Sequence, residues 1–127
     1  MNLKLFAAGI VVVGFIVGIL FLRGSEAPEE NIQTPVEHAD IILTSEGFVP
    51  RSVRLERSGT ITFSTDAGRP FWPASNLHPD HGIYSEFDPR RPVNADDSWT
   101  FRFDRTGEWG YHDHLRSYFT GTIYVVE

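Results

Sequence analysis

Four of the five histidines fall in two close pairs, His78/His81 and His112/His114. On a strand, residues i and i+2 point to the same side, about 6.5–7 Å apart along the chain, so His112 and His114 can reach one ion. His78 and His81, three apart across Pro79, can form a second jaw. Imidazole suits copper, zinc, iron and nickel. An extracytoplasmic setting favours copper, with zinc as the alternative. The competing reading is structural: His78 and His81 cap turns, while His112 and His114 bond backbone carbonyls.

Other chemistry has little footing. Serine, histidine and aspartate are present, but no G-x-S-x-G setting marks a nucleophile. Glu86 and Asp88 sit in an aromatic loop and read as turn chemistry, as does Asp80 after Pro79. No phosphate-binding glycine loop occurs. No catalytic residue is assigned. The chain has no cysteine, and its one methionine is Met1. That excludes disulfides and any thiolate-ligated metal.

The elements that must position the histidines are short strands separated by turn residues. Ala39–Leu43, Ser52–Leu55 and Thr60–Ser64 read as strands, the last two parted by Ser58-Gly59. Trp99, Phe101 and Phe103 alternate with Thr100 and Arg102, the mark of a half-buried strand. In the next strand Trp109, Tyr111 and Asp113 share one face, and Gly110, His112 and His114 the other. Gly121–Val126 closes the domain with Ile123 and Val125 inward. Strands at this spacing imply an all-β sandwich or barrel. Residues 66–94 show no strong period, yet carry Phe71, Trp72, Ile83, Tyr84 and Phe87. So long and aromatic a loop is expected to be ordered over one end of the sandwich. Alternation that turns Asp113 inward turns His112 and His114 outward. A metal there requires the loop to fold over that face, or a second subunit.

Ahead of the strands, Leu5 to Leu22 is an uncharged apolar run. A membrane-spanning helix needs about 20 such residues. Residues 1–23 are therefore expected to be a transmembrane anchor, with a cleaved signal peptide as the rival. Residues 24–37 are acidic and interrupted by Pro28 and Pro35, which suits a flexible tether. Residues 38–127 are the expected domain, outside the cytoplasm. Only Lys4 and Arg23 of the eleven basic residues precede Gly24, leaving nine basic against seventeen acidic groups beyond it. That balance argues against nucleic acid and against lying on anionic lipid.

Two segments carry a family resemblance. Phe48-Val49-Pro50, Val53-Arg54-Leu55 and Ser58-Gly59-Thr60-Ile61-Thr62-Phe63 resemble the opening of cupredoxins. Gly107 to His114, followed by Phe119-Thr120-Gly121-Thr122-Ile123-Tyr124-Val125, resembles their closing segment. The resemblance implies a Greek-key β-sandwich, and in the family it implies a blue copper ion. Here the four ligand positions hold Phe71, Asp113, Arg116 and Phe119, so no blue centre is expected. Asp113 and Arg116 could pair and replace the copper bridge; alternatively Arg116 points to water, or Asp113 joins His78 or His81 on a metal. Tyr111-His112-Asp113-His114 with Gly121 is also similar to the Y-H-x-H segments of multicopper oxidases, whose histidines bind copper at a domain interface. Residues 72–81 together with Tyr111 to His114 resemble a divergent group of bacterial cupredoxin-like proteins.

Three functions remain open at this level. One is metal handling through the four histidines, with a metal donor or acceptor protein as partner. Another is a metal-free assembly module of the cell envelope. The third is a copper-enzyme subunit whose site is completed in a homo-oligomer. All three share one expected outcome. Copper added to the protein should produce no intense thiolate-to-copper absorption in the visible, because no thiolate exists. A strong band there would overturn the ligand assignment.

Overall fold

The computed structural model describes residues 33–127. The anchor expected over 1–23 and most of the tether over 24–37 lie outside them. Among the described residues, no helix is long and apolar enough to cross a membrane. Regular structure among the described residues begins at Val36, slightly ahead of the domain start expected at His38.

Seven strands follow: β1 (Val36–Thr44), β2 (Gly47–Val49), β3 (Ser52–Thr65), β4 (Pro73–Ser75), β5 (Trp99–Arg102), β6 (Gly107–Asp113) and β7 (Arg116–Val126). Their order is β2-β1-β3-β7-β6-β4, with β5 added to β3. The pairs β1–β3 and β3–β7 are parallel, and the others antiparallel.

The two strands expected on either side of Ser58-Gly59 form one hydrogen-bonded run, bent at that point. Ser58 takes a φ of 70°, in the left-handed region. A Cβ on Gly59 would lie 2.8 Å from the carbonyls of Glu37 and Glu56, so only glycine fits the corner. The bend lets one strand serve two layers. Ser52–Glu56 pairs with β7, while Thr60–Thr65 pairs with β1 and Thr60–Phe63 with β5. Alternating Val53/Leu55, Ile61/Phe63 and Ile123/Val125 fill the space between the layers. Aromatic rings join them: Phe63 packs against Phe48, Phe87, Trp99 and Tyr111, with centroids 5.5–6.5 Å away.

The loop between Asp66 and Asn94 is ordered, as its aromatic content implied. Phe71 and Val93 form a short bridge, and Phe71, Tyr84 and Phe87 enter the core. Pro73–Ser75 becomes edge strand β4 against the end of β6, with Ala74 opposite His112. The buried Ser75 hydroxyl lies 2.7 and 2.9 Å from the carbonyls of His81 and Tyr84, which share its one proton. That fork pins the His78–His81 segment over β6.

Register also fixes polarity. Val36 pairs with Leu55, Leu55 with Val125, and Val125 with Gly107. These residues form one row at one end of the sandwich. The other end of β6, where Asp113 pairs with Arg116, carries the histidines. The chain thus enters the domain at the end remote from them.

Candidate metal centre

The strand end supplies the first half of the site. The register shift against β7 falls between His112 and Asp113, but pairing with β4 runs unbroken from Tyr111 to Asp113. Tyr111 and Asp113 are buried on one face, and His112, on the outer face as alternation predicted, is buried because the loop folds over it. The face is closed by the loop, so no second subunit is needed to cover it.

Asp113 has no exposed surface. Arg116 Nε donates to its Oδ2 at 2.8 Å, and the Trp72 backbone N–H donates to Oδ1 at 2.8 Å. Arg116 Nη2 continues to the Pro70 carbonyl at 2.7 Å. The pair therefore ties the start of the loop to the β6–β7 turn. With both carboxylate oxygens engaged, Asp113 stands outside the histidine group, contrary to the alternative that made it a ligand. Phe71 is wholly buried and Phe119 packs against the core, so neither position offers a donor.

His78, His81, His112 and His114 come together on one chain. One ring nitrogen from each lies within 4.8 Å of the others. His78 Nδ1 is 3.3 Å from His112 Nε2, and His81 Nε2 is 2.9 Å from His114 Nδ1. His38 sits apart, exposed against Thr60 and Asp40.

Three of the rings are held from outside the group. His81 Nδ1 lies 2.8 Å from Asp88 Oδ2. A carboxylate only accepts, so this nitrogen carries the proton and Nε2 turns its lone pair inward. His112 Nδ1 donates to Asn76 Oδ1 at 2.9 Å, which points its Nε2 inward too. Asn76 fits there because Gly110 lacks a Cβ, which would approach its amide nitrogen to 2.7 Å. His114 lies against the Trp72 ring, centroids 4.5 Å apart, and its backbone N–H donates to the Trp72 carbonyl. Lone pairs 2.9 Å apart repel, so a proton or a shared cation must lie between His81 and His114.

Asp88, Asn76 and Trp72 are the residues sequence reasoning missed. Asp88 does make the expected turn, accepting from the Arg90 N–H at 2.7 Å, but it also orients His81 and accepts from the Trp72 indole at 2.8 Å. Burial alone would raise its carboxyl; hydrogen bonds from His81, Trp72 and Arg90 outweigh that and hold it below its ordinary value. Burial, then the neighbouring His81, His78 and His114, depress His112 to about 4. Burial, then His81 and His78, lower His114 as well. These two imidazoles thus stay neutral, the form that ligates a metal.

No family model matches the chain, and no curated protein matches it in sequence. Solved structures do resemble it. A purple cupredoxin from Nitrosopumilus maritimus aligns at TM-score 0.60 and 19% identity, over 69% of this chain and 99% of that one. A plastocyanin from Dryopteris crassirhizoma aligns at 0.56 and 16%, over 69% and 100%. A Cu-containing nitrite reductase from Thermus scotoductus aligns at 0.56 and 16%, over 74% of this chain and 23% of its own. The described residues have the cupredoxin fold. They hold an aspartate–arginine pair at the end of β6 and a four-histidine group beside it.

Two outcomes follow. Arg116→Ala should cost on the order of 3–5 kcal/mol in urea unfolding, because it strands a buried carboxylate; replacing Asp113 and Arg116 together by leucine should cost much less. Additive effects would rule out the coupling. Separately, the unfolded chain takes up a proton at His112 near pH 6.5 that the folded domain refuses until about 4. The unfolded state binds more protons in that window, so stability is full above it and falls as pH drops through it, by on the order of 3 kcal/mol. Chelator-treated protein should show this slope, and His112→Gln should flatten it.

Proposed function

We propose that this protein is a membrane-anchored, extracytoplasmic metal-handling protein. Its cupredoxin-like domain binds one ion through His78, His81, His112 and His114, with copper favoured and zinc the alternative. The observation that carries this reading is the convergence of four inward-turned imidazoles. For metal–nitrogen bonds of about 2.0–2.1 Å, tetrahedral nitrogens stand about 3.3 Å apart. The contacts at 2.9 and 3.3 Å are of that size. Outer-shell support agrees: a metal-bound histidine usually gives its other N–H to a carboxylate or carbonyl, as His81 and His112 do.

Handling fits better than electron transfer by a blue centre, which the composition forbids. The solved copper proteins that resemble the domain support copper as the class of ion. The anchor rests on the apolar run Leu5–Leu22. The Asp113–Arg116 pair favours a second reading, an assembly module of the envelope, because it braces the fold without any metal.

Metal analysis of the full chain, purified without a polyhistidine tag, separates the two. One equivalent of copper should bind and show nitrogen ligation by electron paramagnetic resonance, and zinc should compete. His112→Ala should abolish binding and His38→Ala should not. Asp88→Asn should weaken affinity about 10–100-fold through its effect on His81. Absence of bound metal after copper titration would leave the assembly reading standing.

A further inference from the structure

The four histidines are not equivalent. His81 and His112 are buried, at 4% and 1% exposure, and His114 is half-buried. Each has an anchor outside the group: Asp88, Asn76 and Trp72. His78 is exposed, beside Leu77, itself 69% exposed. Among the described residues its ring has no hydrogen-bond partner other than His112, and its neighbours are the rings of His112 and His114.

We infer that His81, His112 and His114 form a fixed three-nitrogen cage, and that His78 is an exchangeable fourth ligand whose place can be taken by a nitrogen donor from outside. The inference rests on the proposed metal site and adds the route by which its ion enters and leaves. Anchored rings keep their lone pairs aimed at the centre whether or not His78 is engaged. A metal site with three protein ligands and one replaceable position is the arrangement that admits an incoming ligand, whereas four fixed ligands close it. The incoming group is a monodentate donor of the imidazole class, as on a partner's histidine. It would reach the ion from solvent on the His78 side, since the other three rings back onto β4, β6 and the Asp88 turn. As the imidazole binds, the His78–metal bond breaks; no electron or net proton moves.

The test uses the full chain loaded with copper(II), with affinity read by competition against a chelator and ligation by electron paramagnetic resonance. His78→Ala should keep one equivalent of copper, with affinity lowered about tenfold or less, the small end of even an outer-shell loss. Free imidazole should then restore the wild-type nitrogen signature. His81→Ala and His114→Ala should each lose more than about 100-fold, and imidazole should not restore them. His114 is partly exposed, so that comparison does not depend on a buried substitution. If His78→Ala loses copper as completely as His114→Ala, or imidazole leaves its spectrum unchanged, the exchange role is wrong while the site stands. Wild-type protein that binds no copper overturns the site itself and this inference with it.

Discussion

A carboxylate removed from water is costly unless charge and hydrogen bonds replace its hydration. Asp113 is in that position, at the end of β6 with no exposed surface. Arg116 supplies the charge, and the Trp72 backbone N–H fills a further acceptor site. Because Arg116 also reaches the Pro70 carbonyl, the solution to one buried charge fixes where the long loop starts. Trp72 then sets what lies above it. Its carbonyl accepts from the His114 N–H, its ring lies on His114, and its indole reaches Asp88. The histidine group is a consequence of that anchorage.

The ion pair joins the loop to the closing hairpin without any metal. The four histidines stand beside it, between β6 and the loop segment that β4 and Ser75 hold down. His81 contributes through a left-handed backbone, φ 53°, an uncommon state for a residue with a Cβ. Strain of this kind tends to persist where surrounding contacts over-determine it. The Ser75 hydroxyl, the His81 N–H to Leu77 carbonyl bond and Asp88 provide those contacts.

The electrostatics match neutral ligands. Asp88 is the carboxylate that touches the group, and it touches His81 alone. Burial, then the neighbouring His81 and His78, keep His112 and His114 neutral, the form that ligates a metal. A divalent cation would take the place of the proton between His81 and His114.

Much of the fold was legible in the residues. Alternation at Ile61/Phe63 and Ile123/Val125 named the inward faces, and Ser58-Gly59 marked the corner of β3, because side-chain period and glycine geometry are local properties. The histidine pairs and the Asp113–Arg116 pair were legible for the same reason: each is a short spacing within one segment. What the chain alone could not settle is where those segments meet. Alternation placed His112 and His114 on the outer face of β6, but whether the loop would cover that face depended on contacts between distant segments. Asp88 looked like a turn residue, and Asn76 drew no reading of its own, because their partners, His81 and His112, come within reach only when the loop closes. The sequence by itself determined which side chains were available to bind and that no thiolate was among them. Tertiary structure decided that four imidazoles converge, because convergence rests on a buried carboxylate drawing the loop onto the strand end.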